Sequence, residues 1–449
     1  MTIQAITTKV ISTLGNKDSL IPIMVKDGVD SASLTYKSFK EGGKVEGVDR
    51  AIDEFGTQAI WIGGIPFYKK LIDWTAYKAA KLNPDVDPRI IANKEYATWA
   101  VNNAKGIMSN SKTQTVKQAL EDCLKDGGKQ AKNLYKGKII AATALTLATF
   151  FLLTKTKQKN TEKTVKNNLK KEMNDTFILS PKADSEVFSN FYDISSNNKQ
   201  KTKKPSFKGV IKNVSDAIMF NPVHNMKIID LGITTERLGC SRNGVEFVEH
   251  GIKEGSFLFF LYKFGGMIED GINKFSSKIL KTPIDLPIDV LMDSQFAEAL
   301  KNGKISKDIA EAPLTKSLTE KLNFIIENPD NTLVQAAKKS KIISTVKDKT
   351  GKSFVDTSKY IDMQSFENLA KNLSTIDEFF KSSNTSVNKF LNKAKGLKVA
   401  SVMANIGISC IILGYLIPKA VYKYREIKTG STKFHVAENI KKENGKGIQ

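Results

Sequence analysis

"VASVMANIGISCIILGYLIP", residues Val399–Pro418, is the stretch of sequence that decides how this chain folds. Its twenty residues include no Asp, Glu, Lys or Arg, and nine of them are Val, Ile or Leu. As a helix the stretch is about 30 Å long, which matches the thickness of the hydrocarbon core of a bilayer. Ser401, Asn405 and Ser409 recur every four residues and so share one face, where polar groups hold neighbouring membrane helices together. The pattern predicts a membrane-spanning helix, and the alternative is the central helix of a soluble bundle.

A second apolar stretch, Ile139–Thr154, has sixteen residues and is about 24 Å long as a helix. To cross a bilayer it needs the lysines at both of its ends to reach the head groups. Lysines flank both apolar stretches on both sides, so the distribution of positive charge predicts no orientation. If both stretches cross once, the two termini share one side of the membrane and residues 155–398 lie on the other.

The whole sequence predicts a mainly α-helical protein of several units, because 449 residues exceed what one hydrophobic core serves. "MKIIDLGITT" and "GVEFVEH" have a strand-like composition, and they predict a small β element around residues 226–250. Inspection reveals no repeat of fixed period. The predicted organisation is, in order, an N-terminal helical region (1–138), a candidate transmembrane helix (139–154), a lysine-rich helix and linker (155–208), a mixed region (209–300), a lysine-rich helical region (301–398), a second candidate transmembrane helix (399–418) and a basic C-terminal tail (419–449).

The sequence from Pro66 onward predicts an amphipathic helix in the N-terminal region. Phe67, Leu71 and Trp74 fall on one face of this helix, and three lysines lie elsewhere on it. The apolar face either packs into the protein's own domain or lies in a lipid interface, with the lysines near the head groups.

The formal net charge of +22 is carried by 69 basic residues. Five of them are arginines (Arg50, Arg89, Arg237, Arg242 and Arg425), and the other 64 are lysines. Base-specific recognition favours the planar guanidinium group, whereas lysine is a hydrated point charge. The composition therefore predicts at most weak, non-specific polyanion binding, and the expected partners are membrane lipid and other proteins.

Three cysteines, Cys123, Cys240 and Cys410, are far apart in the sequence and form no disulfide framework. This usage predicts that the soluble portions lie in a reducing compartment. Residues 1–25 lack the charged, apolar and small-residue segments of a cleavable secretory signal. The predicted localisation is a membrane, reached without such a signal.

Two stretches resemble sites of catalysis or ligand binding in composition. Cys240 and His250 would form a nucleophile and base with Glu246 or Glu249, and adding His224 would give a Cys/His zinc site, but no local spacing supports either. "DKTGKSF", Asp348–Phe354, has the end of a phosphate-binding loop but lacks its first glycine. The sequence thus predicts no catalytic, cofactor-binding or metal-binding residue, and no cofactor.

These observations predict a membrane-anchored, non-enzymatic structural or interaction protein whose biological process the sequence leaves open. The alternatives are a soluble helical protein that binds polyanions, an enzyme centred on Cys240 and His250, and a membrane-remodelling or pore-forming protein.

Overall fold

The computed structural model of the protein describes Leu14 and residues 21–109, 114–178 and 222–433. The linker predicted in the last part of residues 155–208 and the end of the basic tail, residues 434–449, lie outside the described residues. The prediction of a mainly α-helical protein with two long apolar helices is confirmed.

The first half of the described chain consists of helices. They are, in order, α1 (Ile21–Lys37), α2 (Gly43–Ala59), α3 (Ile65–Ile72), α4 (Lys78–Ala80), α5 (Pro88–Ala92), α6 (Lys94–Asn102), α7 (Val116–Leu124) and α8 (Lys129–Ile178). Two π-helical turns, Ile60–Gly64 and Asp73–Tyr77, join α2, α3 and α4 into one continuous helix.

The second half adds more helices and one hairpin. Its elements are α9 (Pro222–Gly239), α10 (Gly244–Phe259), α11 (Gly265–Lys278), α12 (Ile288–Leu291), α13 (Ser294–Lys301), α14 (Lys304–Ala310), α15 (Leu318–Glu327), α16 (Thr332–Lys339), β1 (Thr345–Lys347), β2 (Ser353–Val355), α17 (Met363–Lys381), α18 (Val387–Ile411) and α19 (Ile417–Thr429). Further π-helical turns, Phe260–Phe264 and Ile412–Leu416, join α10 to α11 and α18 to α19.

Local sequence signals set several of the helix ends. Asp87 accepts a hydrogen bond from the backbone N–H of Arg89, and Pro88 occupies the first position of α5, where its missing N–H costs nothing. Ser317 and Glu320 form a reciprocal capping box at the start of α15. These short helices therefore begin where their own residues satisfy the free backbone N–H groups.

The prediction of a β element around residues 226–250 is wrong, because this range belongs to α9 and α10. The β-branched residues of this range pack against neighbouring helices instead. Ile229 and Ile233 lie four residues apart on one buried face of α9. Tertiary burial overrides their preference for strands. The two strands of the described chain pair in a hairpin elsewhere, with Thr345 opposite Val355.

The described chain contains an internal duplication that inspection of the sequence did not reveal. Corresponding elements begin 200 or 201 residues apart: α1 and α9, α2 and α10, α3 and α11, α5 and α12, and α6 and α13. The π-helical turns Ile60–Gly64 and Phe260–Phe264 are also 200 residues apart. So are Lys81 and Lys281, which both adopt a left-handed backbone conformation. We call α1–α8 the first repeat and α9–α19 the second repeat.

In each repeat the long apolar helix runs antiparallel to the helix that carries the π-helical turn. In the first repeat, Lys138 and Lys157 of α8 form ion pairs with Asp73 and Asp53, respectively. In the second, Lys398 pairs with Glu269 at 2.7 Å and Arg425 pairs with Glu249 at 2.7 Å. The same arrangement of an apolar helix between two ion pairs therefore occurs twice.

The two repeats exchange contacts through their first helices. Helix α1 packs on α18 and α19 of the second repeat, and α9 packs on α8 of the first. Glycines make both contacts close. A Cβ on Gly414 would lie 2.9 Å from Val29, and one on Gly232 would lie 2.7 Å from Leu147. Each repeat thus completes the bundle of the other.

A helical domain lies at the end of the bundle where α8 and α18 begin. Its hydrophobic core combines residues of both repeats, between Tyr77 and Ala131 and between Leu286 and Ala394. Polar contacts also join the two parts, since Tyr96 accepts a hydrogen bond from the Ile361 N–H at 2.7 Å. The two-crossing arrangement, with residues 155–398 opposite the N-terminal region, is therefore wrong. A core shared by both parts requires the chain to return along the bundle between Thr154 and Leu286.

Both apolar stretches lie in helices that are long and apolar enough to cross a membrane, within Val116–Asn168 and Val387–Thr429. Only 28% and 22% of their apolar windows are buried inside the protein. Both shares are lower than is typical of the central helix of a soluble bundle, which is mostly buried. The predicted polar stripe does face inward: Ser401 and Ser409 are buried, and Asn405 accepts a hydrogen bond from Lys26 at 2.8 Å.

We expect Gly414→Leu to lower the free energy of unfolding by about 1–3 kcal/mol, since the new side chain must displace Val29 and Ser33 of α1. Gly407→Leu is the matched control, because no atom lies within 4 Å of a Cβ at Gly407. Urea denaturation of both variants, followed by circular dichroism, measures the difference. Equal stability of the two variants would contradict the exchanged packing of α1.

Candidate functional site

The chemically richest part of the molecule is a buried ion network between the two repeats. On α2, four carboxylate residues lie at relative positions i, i+3, i+7 and i+8, so they share one face of the helix. These residues are Glu46, Asp49, Asp53 and Glu54, and all four are buried. A helix face with four buried carboxylates is stable only if cations compensate them.

Each of these carboxylates meets a cation of the second repeat. The guanidinium group of Arg425 donates to Glu46 at 2.7 Å and to both oxygens of Glu249 at 2.7 and 2.8 Å. Arg425 thereby bridges the repeats, with its side chain 1% exposed. A planar guanidinium group forms such paired contacts with carboxylates, and lysine does not.

Three more cations complete the cross-repeat pairs. Arg242 lies 3.3 Å from Asp49, Arg237 lies 3.6 Å from Asp53, and Lys253 pairs with Glu54. The first repeat contributes Lys157, whose ammonium is 3.2 Å from Asp53, and Arg50, which is 3.8 Å from Asp53. The network thus ties α2 to α8, α9, α10 and α19.

A cavity of about 30 Å³ lies between the repeats beside this network. Its lining includes residues that are 200 positions apart, Glu54 with Glu254 and Trp61 with Leu261, so it lies where the two repeats face each other. The volume suffices for a water molecule. Asp30, close to this region on α1, is 1% exposed, and neither of its carboxylate oxygens has a hydrogen-bond partner in the described part of the chain. The network therefore includes one carboxylate that these contacts do not compensate.

The structure gives Cys240 and His250 separate partners. His250 lies on α10, with Nε2 3.8 Å from Glu246, and Glu246 itself binds Arg242. Cys240 lies in the turn between α9 and α10. Burial and the nearby Glu236 carboxylate raise the pKa of its thiol to about 11. A nucleophilic cysteine requires a lowered pKa, so this environment does not favour catalysis.

The other two weighed sites also have structural explanations. Gly351 lies in the hairpin turn between β1 and β2, where Asp348 accepts hydrogen bonds from the N–H groups of Thr350 and Lys352. The side chain of His224 lies outside the described residues. Among the residues that the structure describes, no group of three or more His, Cys, Asp or Glu side chains forms a metal site.

Sequence reasoning missed the ion network, although a signal for it exists. "VEGVDRAIDE" (Val45–Glu54) and "VEFVEHGIKE" (Val245–Glu254) are identical at five of ten positions, and both segments supply buried acids of the network. Four of the five arginines also belong to the network. The fifth, Arg89, binds Asp87 and lies over the ring of Tyr360. The scarce arginines are therefore structural.

Comparison with protein-family models, with curated proteins and with solved structures finds no match for this chain.

We expect Asp53→Asn to lower the free energy of unfolding by about 3–5 kcal/mol, because it leaves buried cations without their partner. Asp30→Asn should change the free energy of unfolding by less than about 1 kcal/mol, because an amide of the same shape replaces a buried carboxyl group that has no hydrogen bond to lose. Both changes keep the shape of the side chain, so each serves as the control for the other. Chemical denaturation measures both values, and equal destabilisation would contradict the described pairing.

We also expect Cys240 to react slowly with iodoacetamide at pH 8 and faster as the pH rises towards 11, since only the thiolate reacts and its pKa is about 11. The difference in labelling between the wild type and Cys240→Ser isolates this thiol from Cys123 and Cys410. A rate at pH 8 equal to that of the unfolded chain would contradict the raised pKa and reopen a catalytic role.

Proposed function

We propose that this protein is an integral membrane protein, without catalytic activity, that holds its helical domain at a membrane surface as a structural or interaction module. The observation that carries the proposal is the inverted polarity of the bundle. Its interior contains the ion network, whereas most of the large outer side chains at the level of the two apolar stretches are apolar, with Lys70 and Lys263 as exceptions. Intramembrane charges typically face the interior of a helix bundle and pair with one another.

Exposed apolar side chains lie on each of the proposed membrane helices, and together we call them the apolar belt. It comprises Phe55, Ile62, Phe67, Leu71 and Trp74 of the first continuous helix, Ile140, Leu145, Phe151 and Leu152 of α8, Phe259 and Met267 near the second π-helical turn, and Met403, Ile408, Ile411, Tyr415 and Leu416 near the end of α18. Trp74 and Phe67 are 67% and 61% exposed. An apolar surface of this extent on a soluble monomer is unusual, and it suits contact with lipid.

The proposed topology has four crossings. Helices α8 and α18 cross in one direction, and the continuous helices α2–α4 and α10–α11 cross in the other. The helical domain then lies on one side of the membrane and the ion network lies towards the other. Ion pairs at both ends of each apolar helix, such as Lys398–Glu269 and Arg425–Glu249, fit the polar boundaries of the bilayer.

This arrangement favours a role as a membrane anchor and not as a pore. Ion pairs and packed side chains fill the space between the repeats, and the cavity described there has a volume of about 30 Å³. The proposed partners are membrane lipid and proteins that bind the helical domain, and the exposed lysines would add weak, non-specific attraction to polyanions.

We expect the full chain to remain in bacterial membranes after an alkaline carbonate wash, because the two apolar crossings, α8 and α18, are held by contact with hydrocarbon and cannot be released by charge alone. Single cysteines, introduced as Glu320→Cys in the helical domain and Lys423→Cys beside the ion network, should be labelled by a membrane-impermeant maleimide from opposite sides. Both native side chains are about half exposed or more, so the new thiols are accessible. The background has Cys123, Cys240 and Cys410 replaced by serine, and this background without a new cysteine is the control. Release of the chain by carbonate, or labelling of both positions from one side, would overturn the proposal.

A further inference from the structure

A second cavity lies between the first repeat's apolar helix and the helical domain. Its volume is about 260 Å³. Ile139, the first residue of the apolar stretch of α8, lines it on one side, while Asp85 and Lys359 of the helical domain line it on the other. On the topology proposed above, this cavity lies at the boundary between the hydrocarbon core and water, at the level of lipid head groups.

The charges of this cavity are unequally compensated. Lys138 pairs with Asp73 and lies 5.3 Å from the centre of the Tyr77 ring, so its ammonium group has partners. The carboxylate of Asp87 is held by two nitrogen atoms of Arg89 at 3.0 and 2.7 Å. These two lining charges are therefore largely neutralised by protein groups.

Lys69 is the exception. It lines the same cavity, it is half-buried, and no hydrogen bond or ion pair to its ammonium group is found among the described residues. Lys359 directs its ammonium group to the backbone carbonyl of Asp85 at 2.6 Å, which leaves its positive charge without an anionic partner at that contact. Although the Asp85 carboxylate also lines the cavity, the lysines there outnumber the acids.

We propose that this cavity binds the phosphate of an anionic phospholipid head group, with Lys69 and Lys359 as the cations that contact it. The proposal rests on the membrane location proposed above and deepens it. A cleft of this volume accommodates a phosphate with its glycerol substituent. Ile139 of the cavity lining begins the apolar stretch of α8, whose exposed Ile140 and Leu145 provide an apolar surface for the acyl chains. Lipid is favoured over free phosphate because the cavity adjoins this apolar surface.

The test measures retained lipid by native mass spectrometry of the full chain, purified in detergent and offered phosphatidylglycerol and phosphatidylcholine. We expect the wild type to prefer phosphatidylglycerol and Lys69→Gln to lose on the order of fivefold of this preference, because one lysine near a membrane surface contributes about 1 kcal/mol. Lys70→Gln is the matched control, since Lys70 is adjacent and exposed but does not line the cavity. Lys359→Gln, on a different element, should reproduce the loss and guards against a folding defect at one position.

Three results would overturn the head-group site. They are the absence of any preference for phosphatidylglycerol, an equal loss in Lys69→Gln and Lys70→Gln, and displacement of the lipid by inorganic phosphate at equal concentration. The last result would assign the cavity to a free anion. Carbonate washing of the same variants distinguishes a failure of the head-group site from a failure of the proposed membrane location. Retention in the membrane without a lipid preference removes the head-group site alone, whereas release of the wild type removes both proposals.

Discussion

The pairing of one acidic helix face with cations of the other repeat is the constraint on which the rest of the bundle depends. The first repeat alone cannot bury four carboxylates on α2, because the cations that its described residues supply to that face are only Arg50 and Lys157. The second repeat supplies Arg237, Arg242, Lys253 and Arg425. Because unpaired buried charges are strongly destabilising, the repeats must associate for either to be stable. The packing of α1 and α9 has the same effect, because each of these helices packs on the opposite repeat and so also requires the repeats to associate.

Polar and apolar groups have opposite distributions in the two parts of the molecule. The helical domain has an apolar core, built around residues such as Ile305, Leu322 and Ile325. In the described part of the bundle, the apolar cluster around Trp61 and Phe150 is small, and the ion network lies inside. On the proposed membrane location, the boundary between lipid and water falls near Lys138 and Lys398, where the apolar stretches begin.

The helices were predictable from the sequence, but their association was not. Helices can be predicted from local signals in the sequence. Examples are the lengths of the two apolar stretches, Ile139–Thr154 and Val399–Pro418, and the four-residue spacing of Ser401, Asn405 and Ser409. The partners of Arg425 lie 176 and 379 residues away in the chain, so no local pattern reveals that it is buried. The duplication is hard to recognise in the sequence, because clear identity between the two repeats is concentrated in ten residues, Val45–Glu54 and their equivalents. The strand-like composition of residues 226–250 led to a wrong prediction of strands, because β-branched residues also pack well on a helix face.

The core of the helical domain is divided between two distant parts of the chain, and this has a consequence for biosynthesis. Tyr96, Leu120 and their neighbours leave the ribosome long before Leu286, the first core residue of the other part. At ordinary translation rates the 154 residues between Ala131 and Leu286 take roughly ten to thirty seconds to make. Throughout that interval the nascent chain presents about a third of the residues of a hydrophobic core without the rest, while the first apolar helix has already emerged. If the bundle inserts into a membrane as proposed, chaperones and the insertion machinery therefore act on this chain at the same time, and its yield in cells depends on both.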